Sequence, residues 1–232
     1  MSQIFSALSL RIDGSMKLPD NQLESDEITQ NRNAFLEKHS VNPQSVVGAE
    51  LEHGNNIKIV SAADKGQIVP HVDGLITSEK GVYLSITVAD CLPITLYDSK
   101  KSILCLLHAG WRGLDNKIIS KALATLQNIY NIDPTELLVG LGPAIGPCHY
   151  EVSKDVAEKF SQYSDVAIER DSKIFLDLKK VAQNQFTDLG IQASNIETST
   201  VCTYCQSDTY FSHRKDQTNP VQAMMVVVGI NS

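Results

Sequence analysis

The spacing of hydrophobic positions changes several times along the chain, and each change marks an element. Residues 82–89 (VYLSITVA), 94–97 and 103–107 are short runs rich in aliphatic and β-branched side chains, which predict strands. Ile118, Ile119, Ala122, Leu123, Leu126 and Ile129 then recur at helical spacing, predicting a helix with one buried face and Asp115 as its cap. Residues 137–141 form another short strand pattern, stopped by Gly142-Pro143, and residues 198–202 and 224–228 read as closing strands. Residues 152–160 and 176–189 carry helical period, with Gly190 as the stop of the second. Near the start, Ser25-Asp-Glu-Ile28 followed by residues 31–36 has the pattern of a capped helix, and polar residues 13–31 hold an expected surface loop. No repeat or low-complexity segment interrupts this order. Strands and helices alternate through the middle and strands return at the end. That order predicts one mixed α/β domain over residues 1–232, a sheet covered by helices in α+β layers.

Composition narrows the function more than the fold. At 232 residues the chain is long enough for one sizeable core, and 42% hydrophobic with 20% charged residues is ordinary for a globular domain. The net charge of −7 argues against a general nucleic-acid binder, which needs a basic face, but leaves room for a pocket holding one nucleoside. The apolar run 223–230 is too short to cross a bilayer, and the first residues lack the basic and long apolar regions of a secretory signal. The expected location is the cytoplasm. Five cysteines, an odd number without scaffold-like spacing, fit thiols or metal ligands better than a disulfide framework.

Candidate chemistry begins at Ala89-Asp90-Cys91-Leu92-Pro93, where a cysteine follows a predicted strand. Alone, it reads as a small buried thiol, as Cys105 does within its apolar run. His108 follows seventeen residues later, at the end of the second following strand, so neighbouring strand ends would bring thiol and imidazole together. It opens His108-Ala-Gly-Trp-Arg-Gly113, whose glycines let backbone approach a ligand and whose Trp111 and Arg112 are placed to line a pocket mouth. His53 would complete a His/Cys/His set with one coordination position open, although spacing alone does not separate it from His71. Cys202-Thr-Tyr-Cys205 is a single CxxC and a weak zinc signal; two thiols at a strand end is the simpler reading. The stiff turn of residues 142–152 (GPAIGPCHYEV) either aims N–H groups at an anion or only packs, and residues 211–216 read as a solvated turn.

Taken in order, ADCLP, HAGWRG, GPAIGPCHYEV and CTYCQSDTYFSHRKD resemble the YfiH-like or laccase-domain family, also called the peptidoglycan editing factor family. The similarity runs through nearly the whole chain and includes DEITQNRNAFLEKH and VDGLIT. It implies a layered α/β fold related to cysteine-hydrolase-like domains, and a metal held by His53, Cys91 and His108. The resemblance also selects His53 over His71, since VDGLIT aligns with the family segment that follows the ligand histidine. Three motifs depart from the family pattern. Leu51-Glu52 stands where a Gln-Val is expected, the early STRxGGVS-like motif survives only as residues 9–15 with Arg11 as its arginine, and Thr218-Asn219-Pro220 replaces a TGR.

The activities implied by the resemblance diverge: deamination of adenosine, phosphorolysis of adenosine, inosine, guanosine or methylthioadenosine, copper-dependent polyphenol oxidation, and correction of peptidoglycan precursors. Six histidines are few for a laccase-type copper site, whereas one cysteine and two histidines suit zinc, which lowers the pKa of bound water to ~7. The expected function is therefore a zinc-dependent purine nucleoside enzyme using nucleoside and phosphate, with copper as the other metal. Asp90 is the candidate proton carrier, and Arg11 and Arg112 are the candidate phosphate ligands. A metal-free cysteine hydrolase would use Cys91 and His108 as nucleophile and base, whereas a non-enzymatic partner in cell-wall control would keep its function when Cys91 is replaced. Oligomeric state is not legible.

Overall fold

A computed structural model describes residues 4–17 and 26–231. In chain order the strands are β1 (Ile4–Leu8), β2 (Val46–Ala49), β3 (Ile57–Ile59), β4 (Ile68–Val69), β5 (Gly74–Thr77), β6 (Tyr83–Val88) and β7 (Leu92–Asp98). They continue with β8 (Ile103–Ala109), β9 (Leu138–Leu141), β10 (Glu151–Val152), β11 (Ala167–Arg170), β12 (Lys173–Leu176), β13 (Ile196–Thr198) and β14 (Met224–Ile230). The α-helices are α1 (Asp26–Lys38), α2 (Trp111–Asp115), α3 (Ile118–Tyr130), α4 (Lys154–Glu158), α5 (Leu178–Asp188) and α6 (His213–Asp216). One sheet runs β1-β14-β6-β2-β4, a second β13-β9-β7-β8-β5-β3, and a small third β10-β12-β11.

Four layers result. Leu84, Ile86, Val226 and Val228 from the first sheet meet Leu75, Leu104 and Leu106 from the second, forming a core between them. The opposite face of the second sheet, with Ile94, Leu96, Cys105 and Leu107, packs on α3 and α5 through Ile119, Leu123, Val181 and Phe186. The outer face of the first sheet carries Val46, Met225 and Val227 against Phe35 and Leu36 of α1. β8 is buried at every position, which explains why residues 103–107 show no alternation: each face of that strand has its own core to fill.

Several expectations change in detail. The single sheet covered by helices is two sheets packed face to face, with helices on the outside. Asp115 does not cap the long helix; it ends α2 and pairs with Lys159 at 2.8 Å, and left-handed Lys117 separates α2 from α3. The buried stripe of α3 stops at Leu126, and Ile129 is 59% exposed, since period counts apolar positions and not the reach of the surface beneath them. Residues 152–160 are helical only over α4, because Glu151 and Val152 pair with β12. Leu176 likewise belongs to β12, and α5 begins after Asp177, whose carboxylate accepts from the N–H groups of Lys179 and Lys180. Gly190, at φ +90°, does follow the end of α5. The strand expected at 198–202 ends at Thr198, and Cys202 makes only an isolated bridge with Ala144. Ser25, the expected cap of the first helix, lies outside the described residues. Among them, no helix is long and apolar enough to cross a membrane.

The seam between the two large sheets gives a direct stability test. Leu106 is fully buried there. Leu106→Ala should lower unfolding free energy by about 2–5 kcal/mol, read as a lower urea midpoint at unchanged slope. A loss under ~1 kcal/mol would mean the sheets are not close-packed at this point.

Candidate metal centre

Strands β7 and β8 are antiparallel neighbours, with Leu92 opposite Ala109 and Pro93 opposite His108. Cys91 therefore lies one residue outside the hairpin and His108 just inside it, at the same end. This converts a separation of seventeen residues into contact. Gly110 faces Cys91 across the pair: a Cβ built there would sit 3.0 Å from the Cys91 sulfur. The glycine of HAGWRG thus leaves room for a thiol.

Asp73, fully buried just before β5, holds the other half of the centre. Its backbone carbonyl accepts from His108 N–H at 2.8 Å. Its carboxylate accepts from the backbone N–H groups of His53 at 3.0 Å and Gly54 at 2.7 Å, and lies 2.8 Å from His108 Nδ1. With Nδ1 engaged, His108 has Nε2 free for the cluster. His53 is held in a left-handed conformation, φ +60°, and its ring meets that of His108 edge-on at 4.8 Å. The donor atoms of His53, Cys91 and His108 all lie within 4.8 Å of one another. His108 is buried, Cys91 half-buried and His53 exposed, so the cluster opens on one side.

Charge in this site is strongly coupled. Burial raises the Cys91 thiol, but the His108 charge and hydrogen bond, with those of His53, outweigh it and leave a pKa of about 6. Burial lowers His108, yet the Cys91 charge and the bond to Asp73 raise it to about 9. Burial also works against the Asp73 carboxylate, but its His108 contact and the two backbone N–H groups hold it below the usual carboxylate range. The two shifts act in the same sense, favouring the ionised Cys91 sulfur beside a protonated His108. A deprotonated sulfur and two imidazoles on one side of a cavity also make a donor set that zinc or copper accepts, so the residues fit the metal implied by the family.

The open side faces a cleft of about 950 Å³, with His53, Cys91 and His108 among its lining residues. Leu51, Ile68, Pro70 and Val221 supply apolar wall; Lys17 and Arg32 supply positive charge. The Arg32 guanidinium is held by the Met16 carbonyl at 2.9 Å, and burial lowers its pKa to about 10, so it stays charged at neutral pH.

Not every expected site residue joins the cluster. Asp90 is a buried anchor at φ +81°; its carboxylate accepts from Thr203 Oγ1 (2.6 Å), Ser212 Oγ (3.0 Å) and Arg214 N–H (2.7 Å). Arg11 pairs with Asp216, donates to the carbonyls of Ser207 and Tyr210, and lies over the Phe211 ring. Arg112 stacks over Trp111, which packs on the core, and neither lines the cleft. Exposed His71 lies 3.6 Å from Glu52 and outside the cluster. Residues 211–216 are more than a solvated turn: Phe211 and Ser212 are buried and His213 lines the cleft. Asp73, Arg32 and His213 went unselected in the sequence. Asp73 had one visible signal, an acidic residue at the entrance to the apolar GLIT strand.

Purine nucleoside phosphorylase YlmD of Geobacillus stearothermophilus is 33% identical over 204 residues, covering 82% of this chain and 74% of that protein. Purine nucleoside phosphorylase YfiH of Escherichia coli is 26% identical over 205 residues, covering 87% and 81%. The crystal structure of YlmD from Geobacillus stearothermophilus matches with a TM-score of 0.91 at 28% identity, over 99% of this chain and 92% of that one. The model of the multi-copper polyphenol oxidoreductase laccase family matches residues 14–230. With that span and these relatives, the chain belongs to the multi-copper polyphenol oxidoreductase laccase family.

Proposed function

We propose that this protein is a metal-dependent purine nucleoside phosphorylase, with zinc held by His53, Cys91 and His108. One observation carries the reading: a cluster of three candidate ligands, open on one side, lies in a cleft large enough for a nucleoside that also contains half-buried positive charge. The names of the relatives point the same way.

When bound, the ion supplies Lewis acidity and lowers the pKa of a coordinated water. The chain's own residues do the rest. Asp73 fixes the tautomer and tilt of His108 and the position of His53 through one carboxylate. Leu51, Ile68, Pro70 and Val221 take the flat purine and exclude water around it. Arg32 and Lys17 hold phosphate oxygens by charge-assisted hydrogen bonds. In phosphorolysis a phosphate oxygen bonds to C1′, the C1′–N9 bond breaks, and the purine nitrogen takes up a proton. His213, at the cleft wall, is placed to hold that proton on its imidazole. Deamination of adenosine at C6 would use the same cluster without phosphate. Asp90, through Thr203, Ser212 and Arg214, keeps the wall that contains His213 in place and acts as a positioning residue.

A second reading has its own observation. Cys91, His108 and Asp73 form a thiolate–imidazolium–carboxylate line, the arrangement of an activated cysteine nucleophile. The two readings part on metal, because a coordinated sulfur is not free to attack.

Three outcomes check the proposal. Protein purified without added metal should contain zinc that Cys91→Ala loses from this centre, and the variant's phosphate-dependent cleavage of inosine should fall about a hundredfold or more. Full activity after chelation that is then lost when iodoacetamide alkylates Cys91 would sink the metal mechanism in favour of the nucleophile. Asp73→Asn should weaken metal binding by roughly 10–100-fold in competition with a chelating dye. Arg32→Ala should raise the KM for phosphate by roughly tenfold or more with little change in purine binding, measured by varying phosphate at saturating inosine.

A further inference from the structure

The CxxC of residues 202–205 does not stand alone. The turn after β9 brings Cys148 and His149 against it, and the four donor atoms all lie within 4.8 Å of one another. Cys148 Sγ is 3.4 Å from Cys202 Sγ and 3.5 Å from Cys205 Sγ, and Cys205 Sγ is 3.3 Å from His149 Nδ1. Metal–sulfur bonds of about 2.3 Å and metal–nitrogen bonds of about 2.0 Å around a tetrahedral ion imply sulfur–sulfur edges of about 3.8 Å and sulfur–nitrogen edges of about 3.5 Å. The observed spacings are within a few tenths of an ångström of those edges. A disulfide could join only two of the three sulfurs. It would leave the third, and the imidazole, without a reason to converge.

The surroundings are also those of a ligand shell. The Gly146 N–H donates to Cys202 Sγ at 3.2 Å, and a Cβ at Gly146 would lie 3.3 Å from Cys148 Sγ, so glycine lets the turn close on the sulfurs. The Cys148 carbonyl accepts from Arg170 at 2.9 Å. Tyr204 stacks on the His149 ring at 4.0 Å and 15°, fixing its plane. Lys179 donates to the carbonyls of Ser199 and Val201, immediately before Cys202. Its ammonium offsets the net negative charge of three thiolates around a divalent ion.

We propose that Cys148, His149, Cys202 and Cys205 form a second metal site, a closed four-ligand centre for zinc or a similar soft divalent cation. It differs in kind from the His53/Cys91/His108 centre. Four protein ligands leave no position for substrate, so its role is structural. The three thiols give up their protons on binding. The ion staples the turn of residues 142–150 to the segment of residues 199–205. Thr203, inside that segment, donates to Asp90 beside Cys91, so the staple fixes one side of the first centre. The proposal does not depend on the reaction assigned to that centre.

The test is cobalt binding, under reducing conditions, to metal-stripped Cys91→Ala protein, in which the first centre has lost its sulfur. The expected result is one tightly bound Co²⁺ with thiolate-to-cobalt charge-transfer bands and tetrahedral d–d bands, both abolished by adding Cys205→Ser. Cys205 is exposed, and circular dichroism with a urea midpoint confirms that the double variant is folded. Zinc content by mass spectrometry gives the parallel reading: two equivalents in wild type, and one each in Cys91→Ala and Cys205→Ser. Absence of the tetrahedral spectrum in folded, reduced Cys91→Ala protein, or its persistence with Cys205→Ser, overturns the site. So does an intact mass two protons light that accompanies refusal of cobalt, which assigns the cluster to a disulfide. Failure of the first centre to bind metal leaves this readout untouched, because Cys91→Ala has already removed it.

Discussion

A carboxylate with no exposed surface is stable only if nearly every lone pair is engaged, and the architecture around Asp73 follows from that requirement. Two N–H groups come from the turn of His53 and Gly54, and the third partner is the His108 ring. Satisfying one buried acid therefore fixes a loop and a strand end against each other. The left-handed backbone of His53 is acceptable because the same acid holds its N–H. Cys91 then needs only the β7–β8 hairpin and the space left by Gly110 to complete the cluster.

The layers outside the site serve the same end. The hairpin that presents Cys91 and His108 is central in a six-stranded sheet and covered on both faces. A close-packed interior resists small displacements, which keeps the spacing of Cys91 and His108 constant. Asp90 makes the link on the other side. Its three donors come from two late segments of the chain, and both are irregular apart from the single turn of α6.

The sequence made the interior strands and α3 legible because each has a strong period or an unbroken apolar run. It did not show that residues 103–107 serve two cores at once, since a run buried on both faces looks the same whatever covers it. β1 and β2 went unread: IFSAL and VVGA are too short to establish alternation, and their pairing with β14 and β6 is long-range. Cys91 and His108 could be paired from strand ends alone, whereas His53 rested on family resemblance, because a loop histidine has no period. Asp73 and Arg32 acquire meaning only in three dimensions, one through its partners and the other through the cleft it lines. The CxxC looked weak for a related reason. Its partners, Cys148 and His149, are more than fifty residues away, joined to it by one isolated bridge rather than a strand.

Arg32 belongs to the outer helix layer, while Cys91 and His108 belong to the inner sheet hairpin. The span between the anchored cation and the Cys91–His108 pair is therefore a property of how layers stack. The packing of Phe35 and Leu36 on Met225 and Val227 acts as the spacer that sets it. If Arg32 holds phosphate as proposed, repacking that small outer core would alter how nucleoside and phosphate meet, since each would touch a different layer. On that reading, the distance between the two reactants is set by the thickness of the protein.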